Sequence, residues 1–382
     1  MVLFWISLTI TTYPFGVLPN YFWQITIAIQ LAIIGLLVLL FRPFAAENNN
    51  SLGTFFVVSV ASIDIVSGWL NVKNFYDDLP QPVLIILASL LFSRIKFFIV
   101  LKALQTALIL VLTGGWIVEL FGFNAYIFPS GFPLNILGHR WMGLISHPNA
   151  AGFICAIAFG LSLFVTKSVL QGLLSLSTLF FTEHRGGVLA AGLISLFALM
   201  LYRDHLSKVA KFLTSGALLL VIASVPIALQ ARTGSDDFTS GREMIWSMCA
   251  SKLSNLGPLG DGPLALARQL GGDKYALFIP FHCHNQLLDD LVNYGYVFGL
   301  LPTLIMLMST FVAVKNRNTL AVPLLGVFWG GAAFEAIIRP YVSMSYVWLT
   351  LFCYLSIAQL FNRSVVNETL TSPQVERQHT LK

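Results

Sequence analysis

Charge is in short supply in this sequence. Only 10% of its 382 residues are Asp, Glu, Lys or Arg, against 57% that are hydrophobic, and the mean hydropathy is +0.79. A soluble domain carries about 25% charged residues, so most of this chain must face lipid or other apolar helices. Cysteine is scarcer still. The four present, Cys155, Cys249, Cys283 and Cys353, lack the CxxC spacing of a metal or redox pair. Only Cys249 and Cys283 fall outside apolar runs, and their spacing alone does not establish a bridge. A repeat of fixed period is missing too. So is any basic stretch interleaved with aromatics, and the net charge of +5 therefore does not point to nucleic acid.

What is present is a series of apolar runs. Crossing a bilayer takes about 20 mostly apolar residues, and twelve runs approach that: 2–18, 22–41, 52–70, 81–93, 97–121, 149–166, 168–182, 187–202, 209–230, 286–311, 319–337 and 345–361. The expected fold is all-α and polytopic, with about twelve membrane helices, or eleven if the short run 81–93 does not cross. Pro14 interrupts the first run, which has neither a basic leader nor a small-residue cleavage site and is expected to be a retained helix. With the N-terminus inside, twelve Lys and Arg fall on the cytoplasmic side and nine outside. Five of those nine lie in one long loop, which translocates largely regardless of charge, so the short loops carry a clear positive-inside bias.

Residues 1–361 then form one integral-membrane domain with two sizeable outer loops, 122–148 and 231–285. The polar tail 362–382 is expected to be disordered in the cytoplasm. Within the larger loop, "TSGREMIWSMCASKL" reads as a short amphipathic helix. Thr239 or Ser240 can cap it, and Met244, Ile245, Met248 and Leu253 give it an apolar side. "NLGPLGDGP" breaks the chain into turns, and residues 264–269 read as another brief helix.

Polar groups near hydrocarbon are costly and usually face the bundle interior or a wet cavity. Here they gather on the outer face. "GHRWMGLISHPNAAG" supplies Arg140, His147 and Asn149, and "FTEHRGGVLAAG" supplies Glu183, His184 and Arg185. "TSGREMIW" supplies Arg242, and "HCHNQLLDDLVNYG" supplies His284, Asn285 and Asp289. Each also has a plainer role. His147-Pro148-Asn149 and His284-Asn285 can simply start helices, Arg185 can anchor a turn, and Arg242 can pair with Asp236 or Asp237. Asp64 sits inside a run, where bonding to neighbouring helices is the plainer reading, and Glu335 and Arg339 have the spacing of a helical ion pair. His282-Cys283-His284 does not make a zinc site, because alternation puts its side chains on opposite sides. Together, arginines that stay charged and grip phosphate oxygens, beside a histidine able to take a hydroxyl proton, suit a lipid-linked pyrophosphate donor and a sugar acceptor.

In these pieces the sequence resembles the O-antigen ligase and polysaccharide polymerase superfamily of bacteria. "HPNAAG", "EHRGGVLAAG", "TSGREMIW", "PLGDGP" and "HCHNQLLDDLVNYG" run in family order from about residue 138 to 300. The resemblance implies a metal-independent, cofactor-free glycosyltransferase of the GT-C-like membrane class, in the bacterial cytoplasmic membrane with its site on the outer face. It implies that Arg185 and Arg242 hold the pyrophosphate and His284 is the general base or orients the acceptor. His147, Asn149 and Arg140 would line the cavity, with Asn285 and Asp289 beside the substrate. Its partners would be a polyprenyl-pyrophosphate-linked oligosaccharide, the bilayer, a flippase and a chain-length regulator. One departure stands out: the family element usually has Ser before the arginine, where this chain has His184. "HNQLLDDLVNYG" and "SGREMIW" look nearest to exopolysaccharide polymerases. A ligase that transfers finished glycan to lipid A core is the alternative, and a flippase or secondary transporter is the reading from another class.

Overall fold

The structure, a computed structural model, describes residues 1–9, 80–92, 95, 97–122, 128–130, 135–145, 147–202, 242–262, 265, 283–315 and 321–332, and isolated positions at 32, 62, 65, 66 and 69. These residues are mostly helical. In chain order the elements are α1 (Val2–Thr9), α2 (Pro80–Phe92), α3 (Phe97–Leu120), β1 (Phe128–Pro129), β2 (His139–Arg140), α4 (Pro148–Phe164), α5 (Val169–Thr182), α6 (Arg185–Tyr202), α7 (Arg242–Leu253), α8 (Gln286–Phe298), α9 (Leu301–Lys315) and α10 (Val322–Ala332). The two short strands pair antiparallel, Phe128 opposite Arg140.

Eight of the twelve expected spans coincide with helix over some or all of their length. Runs 22–41, 52–70, 209–230 and 345–361 lie outside the described residues apart from isolated positions, as do Asp64, Asp236, Asp237, Thr239, Ser240, His282, Glu335, Arg339 and the tail 362–382. Of the brief helix expected at 264–269, only Ala265 is described, and it is helical. Among the described residues one unbroken helix, α3 with 24 residues, is long and apolar enough to cross a membrane. Its length of about 36 Å exceeds a hydrocarbon core of about 30 Å. Helices α4, α5 and α6 are apolar but shorter.

The run expected as a single span at 286–311 is not one helix. Gly295 takes φ 70° and ψ −172°, and α8 and α9 meet at 97°. Glycine adopts that left-handed backbone without the Cβ clash that other residues suffer. Hydropathy alone could not reveal the break, because Tyr294, Tyr296, Val297 and Phe298 keep the run apolar across it.

Helix α4 is the centre of the bundle. From Ala150 to Leu163 it is buried on every side, and α3, α5, α6 and α10 pack around it. Small residues allow the close approach: a Cβ on Gly187 would lie 2.7 Å from the Gly152 carbonyl oxygen, and one on Gly330 2.5 Å from the Ala190 nitrogen. Because Gly326 meets Ile194 while Gly330 meets Ala190, α10 runs antiparallel to α6. Helix α9 joins α10 through a short connection, and the Trp329 indole N–H donates to the Thr310 hydroxyl at 3.1 Å.

The outer surfaces of these helices are apolar too. Leu110, Ile117, Leu170, Met200, Leu304 and Phe311 are all exposed. Helix α8 buries polar side chains beside apolar ones: Gln286, Asp289, Asp290 and Asn293 are buried with Val292 and Tyr294, while Leu287, Tyr296 and Val297 are exposed.

The packing makes a checkable claim. Gly330→Ala puts a methyl group against backbone that cannot swing aside, and is expected to destabilise the protein by about 1–3 kcal/mol. Thermal unfolding in detergent should show a lower midpoint for Gly330→Ala and no change for Gly257→Ala, whose Cβ would meet nothing within 4 Å.

Candidate functional site

Two groups of polar residues were expected to converge, and each is built differently. The first sits where α3 and α5 end and α4 and α6 begin. Helix α4 starts at Pro148, whose missing N–H costs nothing in the first turn. His147 is extended (φ −148°, ψ 134°) and caps the helix, its Nδ1 accepting from the Asn149 N–H at 3.1 Å. The plainer role is thus real. Arg140, on β2, donates from Nη2 to Asn149 Oδ1 at 2.9 Å and from Nε to the Thr182 carbonyl at 3.0 Å. One guanidinium therefore ties the start of α4 to the end of α5.

Arg185 opens α6 three residues beyond Thr182 and is half-buried. The turn that places it is Glu183-His184. Glu183 takes the left-handed conformation (φ 52°), and its carboxylate accepts from the Ser130 hydroxyl and from Asn135 Nδ2 at 2.7 Å. His184 is buried, with its ring edge-on to Phe153 at 4.6 Å between centroids. Its Nδ1 accepts from the Gly187 N–H at 3.0 Å. The imidazole thus accepts from a backbone N–H in the first turn of α6, as a capping side chain does. Around the rim, His139 Nε2 lies 2.9 Å from Glu119 Oε1, and Trp141 stacks beside Trp116 at 5.7 Å. Arg140, His147, Asn149 and Arg185 are thus brought to one end of the bundle.

The second group is built on α7 and α8. Cys249 and Cys283 are joined in a disulfide with a Cα–Cα distance of 6.1 Å, which ties α7 to the residue before His284. It also removes Cys283 as a metal ligand. The apolar side expected for α7 is present: Ile245, Met248 and Leu253 pack with Ala265, Val292, Leu256 and Leu288 around the bridge. Arg242 is the first residue of α7, seven positions before Cys249 and four before Trp246. His284 is half-exposed, takes φ 49°, and its carbonyl accepts from the Trp246 indole at 3.4 Å. Asn285 caps α8, its side chain accepting from the Leu288 N–H at 3.1 Å.

Asp289, expected beside the substrate, is placed inward. It is buried, and its carboxylate accepts from the Cys283 N–H at 2.9 Å and from Asn293 Nδ2 at 3.1 Å. Asn293 in turn accepts the Ala265 N–H through Oδ1 at 3.3 Å. The "PLGDG" turn closes the same region. The Asp261 and Gly262 N–H groups donate to the Val292 and Asn293 carbonyls at 3.0 and 2.9 Å, the acceptors freed where Gly295 breaks α8.

Trp246, Asn293 and Glu183 were not singled out for these roles in the sequence. The i, i+4 spacing of Asp289 and Asn293 and the i, i+3 spacing of Trp246 and Cys249 were the available signals. No protein-family model matches the chain, and no curated protein matches it.

Asp289→Ala would leave the buried Cys283 N–H and Asn293 amide without their acceptor. The expected loss of stability is about 1–3 kcal/mol, measured as a lower unfolding midpoint in detergent, with Asp289→Asn retaining part of it.

Proposed function

We propose that the chain is a polytopic glycosyltransferase of the bacterial cytoplasmic membrane that polymerises polyprenyl-pyrophosphate-linked glycan on the outer face. The observation that carries the reading is the placement of its costly polar groups. Arg140, His147, Asn149 and Arg185 share one end of the bundle, at the starts of α4 and α6, and His284 and Arg242 stand at the starts of α8 and α7. Two further features support it. Apolar side chains cover the outside of the bundle as well as its inside, which suits lipid as solvent. A disulfide persists in an oxidising compartment, so the bridge between Cys249 and Cys283 is consistent with a loop outside the cytoplasm.

In this reading, Arg185 and Arg242 hold the donor's pyrophosphate and spread the negative charge that grows on it as the bond breaks. His284 takes the proton from the acceptor hydroxyl. The hydroxyl oxygen forms the new bond to the anomeric carbon, whose bond to the pyrophosphate oxygen breaks, and the polyprenyl pyrophosphate leaves with the electron pair. Transfer needs no nucleotide sugar, because the leaving group carries the activation. Arg140, with its guanidinium held by Thr182 and Asn149, sets the cavity wall, and Asp289 supports His284 from beneath through Cys283.

Polysaccharide size on gels tests this, in a strain deleted for the chain and complemented with wild type, His284→Ala, Arg185→Lys or Arg242→Lys at equal membrane abundance. Loss of long glycan, with single repeats retained on lipid or core, is the expected result for all three variants. Full-length chains accumulating on the lipid carrier would instead make the chain a ligase. Wild-type behaviour in all three would overturn the site and return transport to the front.

A further inference from the structure

His284 is the least free residue in its neighbourhood, although its side chain is half-exposed. The residue before it is held twice, by the disulfide to Cys249 and by the Cys283 N–H bond to Asp289. The residue after it caps α8. Its own carbonyl is taken by Trp246, three residues from Cys249 on α7. Between these anchors the backbone stands at φ 49°. A left-handed conformation costs a residue with a Cβ about 1–2 kcal/mol, so it persists only where the surroundings over-determine it, and such residues cluster at functional sites.

We infer that the Cys249–Cys283 bridge and Trp246 are positioning residues for His284: they fix its imidazole relative to the α7 helix that begins at Arg242. The inference rests on the role proposed for His284 as base. Bridge and indole both reach from α7, from positions seven and four residues after Arg242. The two groups proposed to act at opposite ends of the breaking and forming bonds are therefore referenced to a single helix. Without the bridge, α7 keeps its apolar packing through Ile245, Met248 and Leu253, so the fold has other support. What is lost is the fixed setting between base and helix. Small misplacements of a reacting group are costly in rate, up to about a hundredfold for about 1 Å, and the loss falls on turnover rather than on binding.

The test uses membranes carrying the full chain and lipid-linked repeat units extracted from the deletion strain. Alkylation of the denatured protein with a mass-tagged maleimide reads the bridge. Reduction should add two tags to wild type and none to Cys249→Ser/Cys283→Ser. Glycan extension is then followed before and after reduction with a phosphine. The expected result is a drop in kcat of about tenfold or more with KM for the repeat unit unchanged, restored on reoxidation. Trp246→Phe, which keeps an aromatic side chain and removes the N–H, should lower kcat in the same way by a smaller factor. The decisive arm is His284→Ala. If bridge and indole act through His284, neither reduction nor Trp246→Phe lowers its residual rate further. The inference is overturned if reduction adds no tags to wild type, if oxidised and reduced wild type extend glycan equally, if the loss appears in KM, or if the residual rate of His284→Ala falls by the same factor as wild type. An oxidised wild type with a normal tag count but no glycan extension would overturn the polymerase reading itself.

Discussion

A peptide group surrounded by apolar side chains must find its hydrogen-bond partner inside the protein. That constraint organises every feature of interest in this chain. Helices satisfy their own middles and leave their ends open, so the ends are where polar side chains are worth having. His147 serves the start of α4, His184 the start of α6, Asn285 the start of α8, and the turn around Asp261 serves the break in α8. Groups suited to chemistry and groups needed for capping thus occupy the same few places. In His147 they are the same side chain, one ring nitrogen engaged by the helix.

Packing then fixes where those ends lie. Gly152 and Gly187 let α4 and α6 touch, and a Cβ at Gly152 would lie 2.5 Å from His184, so the imidazole is seated by the same contact that joins the helices. Arg185 follows directly. Its backbone is set by the close approach of Gly152 on α4 and Gly187 in the first turn of α6. The same economy holds at α8, where Gly260 and Gly295 approach so closely that a Cβ on either would lie 2.4 Å from a backbone nitrogen of the other.

The helices around α4 were legible in the sequence because apolar run length is a strong signal, and α3 to α6 start and stop within two residues of the runs that foretold them. The gathering of Arg140, His147, Asn149 and Arg185 at one end was legible for the same reason, since helix order alone sends them there. Three things were not. The break at Gly295 is hidden because hydropathy cannot distinguish a straight apolar run from a bent one. The inward turn of Asp289 depends on donors at Cys283 and Asn293, one of them a backbone group that composition does not report. The bridge between Cys249 and Cys283 depends on a 6.1 Å approach that no spacing of 34 residues encodes.

The stretch between Gly262 and Cys283 leaves α8 and returns to it within one helical turn. It departs from Asn293, which holds Gly262 through its carbonyl and Ala265 through its side chain, and comes back to Asp289 through the Cys283 N–H. Its ends are thus pinned side by side whatever lies between them. Lengthening such a segment costs only about 0.6 kcal/mol per doubling in closure entropy, and neither anchor need move. Chain length between the two anchors can therefore change while the frame that holds the histidine stays the same.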